Sequence, residues 1–264
     1  NMKKLWKVCL TALLALTLTA ALTACGKKET TASDLQSIQQ KGTLIVGITD
    51  YEPMDYRGED GEWTGFDAEF ARAVAAELGV EAQFVEIEWD NKFYELESGA
   101  IDCIWNGMTI TDEALANASV SDAYVVNAQV VVMEKARLEQ YPDTASLAGL
   151  TFAVEAGSAG EAALQGAGLD TYTAVSTQAD ALMEVASGSA DACVLDITMA
   201  QAMTGEGTSY ALLGYQLKMT SEEYGISFRK GSDLTAKVND LMAQMRQDGR
   251  LQSLAEKYGL TLAD

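Results

Sequence analysis

Apolar stretches of strand length alternate with segments of helical period along most of this chain, the order expected of sheets whose strands are joined by helices. TLIVGI at Thr43–Ile48 predicts a first strand, and Asp60-Gly61 predicts a hairpin turn between two short flanking strands. Phe66, Phe70, Val74 and Leu78 recur every four positions. They predict a helix over Phe66–Leu78 that ends at Gly79 and turns this apolar face to a core. Residues 80–87 alternate as a strand, 91–98 read as a helix, and 101–105 (IDCIW) read as a buried strand. A second series follows, with strands at 150–154, Tyr172–Val175 and 192–195. Its helices fall at 160–165 and 178–187, the latter N-capped by Thr177. YELESGAIDCIWN at 94–106 and LMEVASGSADACVLD at 182–196 share a helix ending at Ser-Gly, an acidic residue and a cysteine-containing strand. An internal repeat of two similar lobes and the shared grammar of any αβ unit account for this equally well.

The amino-terminal pattern is of another kind. Lys3, Lys4 and Lys7 precede an apolar run at 8–21, too short to span a bilayer, and then Leu22-Thr23-Ala24-Cys25 places small residues before a cysteine. This predicts a lipoprotein leader over 1–24, cut before Cys25; an unmodified cysteine after an ordinary leader is the alternative. Acyl chains on Cys25, at about 0.8 kcal/mol per buried methylene, would anchor the protein to a membrane. Residues 25–40 are expected to be the lipidated cysteine and a flexible tether, of which the polar stretch 26–33 carries no structural signal.

Composition narrows the function. Cys9 leaves with the leader, so Cys103 and Cys193, each inside an apolar run, are expected as buried free thiols rather than a disulfide. The formal net charge is −21, and removing 1–24, with three lysines and no acids, takes it to −24. Such a chain repels nucleic acid and anionic lipid, so neither is expected as a partner. No histidine occurs in the 264 residues, which removes the usual general base, the usual zinc ligand and the usual partner of a nucleophilic Ser or Cys. AGSAG at 156–160 lacks the first glycine of a nucleophile elbow and reads as a helix start. No catalytic residue, metal or cofactor is expected.

In their order and spacing, KGTLIVGITDYEPMDY, GEWTGFDAEFARAVAAELGV, IEWDNKFYELESGAIDCIWNGMTITDE, VSDAYVVNAQVVVM, LAGLTFAVEAGSAGE, ASGSADACVLD and YGISFRKGSDLTAKVNDLMAQMRQDGRLQSLAEKYG resemble the polar amino-acid-binding proteins of ABC importers, extracellular solute-binding protein family 3. The likeness covers about residues 41–260. It implies an α/β, two-lobe periplasmic-binding-protein-like clamp, each lobe a mostly parallel sheet flanked by helices, with two crossing hinge segments near 126–130 and 219–224. Lobe 1 would hold 41–127 and 222–264, and lobe 2 would hold 128–221.

The same resemblance implies a ligand site. An aromatic after the first strand and another before the second helix, here Tyr51 and Trp89, would pack on the ligand's aliphatic part. Asn106, Gly107 and Thr109 would meet its ammonium and carboxylate. Gly157, Ser158 and Ala159 would open a helix whose amides suit a carboxylate, and Gln129 would contribute from the hinge. Asp196 matches the acid that pairs with the ammonium; N-capping of 197–203 is its other reading, and one residue can do both. The family's carboxylate-clamping arginine is absent, because its position holds Ala114. Lys92, the amides of 109–113 and Gln129 are the candidates to replace it. Asp50, Glu52, Glu88, Glu155 and Asp196 would tilt preference toward cationic or amine ligands, unless several are solvated rim charges.

The expected function is therefore the extracellular, lipid-anchored substrate-binding component of an ABC importer for a small polar amino acid or related amine. Its partners would be that solute, the permease subunits and, through Cys25, the membrane. A monomer on the extracytoplasmic face is expected. An amino-acid-forming dehydratase on the same fold is the enzymatic alternative, and the missing arginine and histidine count against it. A ligand-sensing ectodomain is the third, and the lack of a membrane span or signalling module before Asp264 counts against it.

Overall fold

The computed structural model describes residues 33–264. The predicted leader, Cys25 and the tether up to residue 32 lie outside the described residues. Residues 34–40, assigned above to the tether, instead belong to helix α1 (Asp34–Lys41). Ile38 is buried in the core, the Asp34 carboxylate accepts from Arg229 at 3.0 Å, and Lys41 Nζ donates to Asp102 at 2.5 Å. Ile38, the partly buried Leu35, two ion pairs and hydrogen bonds from Leu35 N to Asp233 and from Gln39 to Leu78 O dock this helix, which composition alone marks as solvated.

In chain order there follow β1 (Thr43–Ile48), β2 (Tyr56–Arg57), β3 (Trp63–Thr64), α2 (Phe66–Leu78), β4 (Glu81–Glu86), α3 (Lys92–Ser98), β5 (Cys103–Ile104), α4 (Asp112–Asn117), β6 (Ser119–Val120) and β7 (Val125–Asn127). Then come β8 (Gln129–Glu134), β9 (Phe152–Glu155), α5 (Ala159–Gly166), β10 (Tyr172–Val175), α6 (Gln178–Ala186), β11 (Ala192–Asp196), α7 (Ile197–Met203) and β12 (Leu213–Lys218). The chain closes with β13 (Glu222–Tyr224), β14 (Ser227–Phe228), α8 (Leu234–Gln247) and α9 (Arg250–Tyr258).

Two five-stranded sheets form, in the orders β4-β1-β5-β14-β6 and β10-β9-β11-β8-β12. β7 and β13 form a two-stranded ladder of their own, with Glu222 opposite Asn127, and each adds one isolated bridge, Val125 to Leu262 and Tyr224 to Thr109. The chain therefore leaves the first sheet through β7 and returns through β13, and these are the two crossing segments of the clamp. Both sheets are mixed rather than mostly parallel. β1 runs parallel to β4 and β5, and β9 parallel to β10 and β11, whereas β14 and β8 run against their neighbours. The reason is topological. β8 begins at the crossing, where β11 ends, so Gln129 faces Asp196 and the two strands must be antiparallel.

The apolar period of α2 is realised as drawn, since Phe66, Phe70, Val74 and Leu78 are all buried. Phe66 stacks on Tyr124 with centroids 6.0 Å apart, and Phe70 meets Trp105 edge-on at 4.9 Å. α8 and α9 pack on α2, so the last segment completes the first lobe's core. The strand expected at 101–105 pairs only over Cys103–Ile104, yet all five residues are buried. Asp102 within it is held by Lys41 and by Arg229 at 3.3 Å. The strand expected at 150–154 is shifted to Phe152–Glu155, which makes Glu155 its last residue. Cys103 and Cys193 are buried free thiols, as expected.

The first lobe also buries a carboxylic pair. Asp67 accepts the Gly107 N–H at 2.6 Å and the Tyr124 O–H at 2.8 Å, and burial pushes its pKa up to about 7. Neither carboxylate oxygen of Asp55 has a hydrogen-bond partner among the described residues. Burial and the charge of Asp67 hold its carboxyl well above the ordinary range, and Arg72 offsets part of this. A folded-state pKa raised above the unfolded value means that the native form binds the proton more tightly. The stability this confers is complete below the unfolded carboxylate pKa, about 4, and is lost as pH rises through the folded values. Asp55→Asn, neutral at every pH, should therefore raise the melting temperature at pH 8 by roughly 2–4 °C for each kcal/mol of ionisation cost relieved. The gain should vanish near pH 4 in a series of thermal melts followed by circular dichroism; an equal shift at both ends would contradict it.

Candidate functional site

A cavity of about 230 Å³ is lined by Trp89, Lys92, residues 106–109, Thr111, Asp112, Glu113, Glu155, residues 157–159, Ala162, Gln178 and Asp196. Most of its wall comes from the carboxyl ends of β5, β9 and β11 and the first residues of the helices that follow, the place where open α/β sheets receive ligands. Trp89 and Lys92 stand at the turn into α3, and Gln178 is the first residue of α6, which Thr177 caps by accepting the Asp180 N–H.

Asp196 is the most fully supported polar group on this wall. Its Oδ1 accepts from Asn127 Nδ2 and from Gln129 Nε2 (2.8 Å), and its Oδ2 accepts from Gln178 Nε2 (2.5 Å). Asn127 and Gln129 also donate to Glu222 Oε2, at 3.1 and 3.0 Å, so both crossing strands contribute to holding one carboxylate. Burial, helped by the Glu222 charge, raises the Asp196 pKa to about 6 against the pull of the three amides. Asp196 occupies the N-cap position of α7 but its side chain makes no capping bond. The carboxylate faces the amides and the cavity instead.

Of the other predicted residues, Trp89, Asn106, Gly107, Thr109, Ser158 and Ala159 line the cavity. Asn106 Nδ2 donates to Thr49 Oγ1 at 2.8 Å, and its Oδ1 has no partner among the described residues. Thr109 Oγ1 donates to Glu222 at 3.0 Å. Ser158 Oγ is occupied as the cap of α5, accepting the Glu161 N–H, and the Gly157 N–H is taken by the Glu161 carboxylate at 2.7 Å.

Two predicted residues do not reach the wall. Tyr51 is 1% exposed, and its hydroxyl shares hydrogen bonds with Tyr224 and with Thr198 (2.5 Å). A Cβ on Gly107 would lie 2.6 Å from the Tyr51 ring, so the ring is packed behind Gly107, whose φ of +56° lets the backbone lie across it. Gln129 is buried behind Asp196 and positions it. Asp50 and Glu88 are exposed and Glu52 is half-buried, and none of the three lines the cavity.

Ala114, where the family resemblance expects arginine, is buried in an apolar cluster with Trp89, Leu96 and Met108. The basic residue among those lining the cavity is Lys92. Its Nζ donates to Gly157 O at 2.8 Å and to Trp89 O at 3.3 Å, and burial lowers its pKa against the pull of Glu113 and Glu155. Gln178 went unnoticed in the sequence because only the packing of α6 against β11 brings it there. Glu155, one of the five acids expected to tilt preference toward cationic ligands unless solvated at the rim, is a buried wall residue 2% exposed.

The sequence matches the bacterial extracellular solute-binding proteins, family 3, over residues 44–261. It is 32% identical over 230 residues to the L-cystine-binding protein TcyJ of Escherichia coli (strain K12), with 85% of each chain covered. With the arginine-binding extracellular protein ArtP of Bacillus subtilis (strain 168) it shares 30% identity over 256 residues, covering 93% of this chain and 95% of that one. Among solved structures, a mutant of ArgBP from T. maritima superposes with a TM-score of 0.80 at 31% identity, covering 85% of this chain and 98% of that one. The ancestral amino acid-binding protein AncCDT-1, a precursor of cyclohexadienyl dehydratase, superposes with 0.79 at 33%, covering 86% and 99%.

The two lobes touch beside the cavity through Lys92 and Gly157, through Tyr51 and Thr198, and through the backbone approach of Gly157 to Asp90. Gly157 has φ +68°, and a Cβ there would lie 2.8 Å from Asp90 Cα. Gly157→Ala should thus cost this approach of the two lobes about 1–3 kcal/mol. A larger radius of gyration by small-angle scattering is the expected result, and an unchanged radius and melting temperature would speak against this contact.

Proposed function

The chain belongs to family 3 of the bacterial extracellular solute-binding proteins, and on that footing we propose that it captures a polar amino acid or related amine between its lobes and delivers it to an ABC importer. The observation that carries this reading is Asp196, a buried carboxylate whose two oxygens are fixed by three side-chain amides while the group still lines the cavity. Fixed in this way, it accepts an ammonium without reorganising. Trp89 offers a ring face to the solute's carbon skeleton, and Asn106 Oδ1 and Thr109 lie beside it. Lys92, with two of its three N–H donors on backbone carbonyls, supplies the positive charge for a carboxylate in place of the arginine missing at Ala114.

Lobe 1 comprises 34–127 and 222–264 and lobe 2 comprises 128–221, and they close by rotation about β7 and β13. The solute shifts the open–closed balance by as much as it prefers the closed form. The working location is extracytoplasmic. There the protein acts as a monomer held by acyl chains on Cys25 after loss of 1–24, and it catalyses no reaction; a chain without histidine that shapes its cavity around fixed charges suits capture rather than turnover.

Calorimetric titration with a panel of amino acids and polyamines tests the reading, and binding of none of them would refute it. Asp196→Asn should weaken the captured solute by about 2–5 kcal/mol. In the native protein, affinity should fall as pH drops below about 6, where Asp196 takes up a proton. Metabolic labelling with palmitate should mark the protein and fail to mark Cys25→Ser; equal labelling of both would exclude the anchor.

A further inference from the structure

Two carboxylates end neighbouring parallel strands and line the same cavity, Glu155 on β9 and Asp196 on β11. Their surroundings differ. Both Asp196 oxygens hold donors, whereas Glu155 Oε1 is buried with no hydrogen-bond partner among the described residues. A buried carboxylate oxygen left without a donor is costly, and a binding site retains one where the ligand brings the donor.

The structural tasks open to an acid at this position are done by other residues. Ser158 caps α5, Glu161 occupies the Gly157 N–H, and Lys92 Nζ is bonded to Gly157 O and Trp89 O. The buried charges on the wall are two acids against one lysine. A zwitterion would leave that imbalance in place, while a ligand of net charge +1 would cancel it. Asp112 and Glu113 add the same sign.

We propose that Glu155 is the specificity-determining residue of this site and selects ligands carrying a second cation, such as a dibasic amino acid or a diamine, over neutral amino acids. This rests on the solute-binding reading. The charged groups that face Glu155 are Asp196 from β11, Lys92 from α3 and Asp180 from α6. Burial first, and then the Asp196 charge, hold the Glu155 carboxyl well above the ordinary range, against Lys92. A neutral ligand therefore leaves the proton in place, and a cationic one displaces it.

The test is calorimetric titration of the protein, Glu155→Gln and Glu155→Asp with L-lysine, putrescine and L-glutamine, in two buffers of different ionisation heat. The native protein should bind L-lysine or putrescine at least about tenfold more tightly than L-glutamine and release protons on doing so; which of the two binds tells whether the ligand also needs a carboxylate. Glu155→Gln should weaken the cation by about 30-fold or more, leave L-glutamine within about threefold and lose most of the proton release. Glu155→Asp, which keeps the charge, should restore part of the preference. L-glutamine bound as tightly as the cations, or both classes weakened alike by Glu155→Gln, would overturn the assignment while leaving solute capture intact. If Glu155→Gln does not fold, native binding of the cation without proton release overturns it equally. Binding of none of the three probes, nor of any amino acid or polyamine, would remove the solute-binding reading and this inference with it.

Discussion

One carboxylate that must be kept out of water organises the centre of this molecule. Asp196 is buried, and a buried acid is tolerable only with donors around it. Asn127 comes from one crossing strand, Gln129 from the start of the strand it feeds, and Gln178 from a helix of the second lobe. Glu222 on the other crossing strand binds the first two amides from behind. The same hydrogen bonds that keep Asp196 in place thus tie the cavity to the two crossing strands.

Close backbone approach is the second constraint. Gly107 lets the chain pass over the Tyr51 ring, and Gly157 lets the second lobe meet Asp90. One buried apolar cluster spans both lobes and includes Tyr51, Met54 and Tyr224 of the first with Leu195 and Met199 of the second. Beside the cavity the lobes also meet through polar contacts, Lys92 to the Gly157 carbonyl and the buried Tyr51 hydroxyl to Thr198.

Acids recur throughout. A chain with formal charge −21 still places Asp55, Asp67, Glu155 and Asp196 in its interior. They are handled differently: Asp67 and Asp196 receive donors from the protein, Asp55 is left to its neighbours' charges, and Glu155 opens on the cavity. Donors alone do not separate the roles of these acids: Asp67 and Asp196 both receive them, and of the two Asp196 lines the cavity.

Local pattern sufficed where local forces decide. The four-residue apolar period of α2, the extended run of β1, Tyr172–Val175 and the Thr177 cap are all visible in the chain, because each depends on neighbours a few positions away. The ordered segments were enough to expect a two-lobe clamp and to bring Trp89, Asn106 and Asp196 together. Which way a loop side chain turns was not legible. Tyr51 and Trp89 follow the same kind of strand end, yet Tyr51 is drawn into the core by Thr198 and Tyr224, which lie 147 and 173 residues away. Gln178 is tied to the wall by Asp196, 18 residues on, and residues 34–40 fold onto the body through Arg229, 195 residues from Asp34. Periodicity encodes which residues are apolar together; only the packed chain, by bringing remote donors and rings to one place, determines which polar groups are satisfied there and which still await a partner.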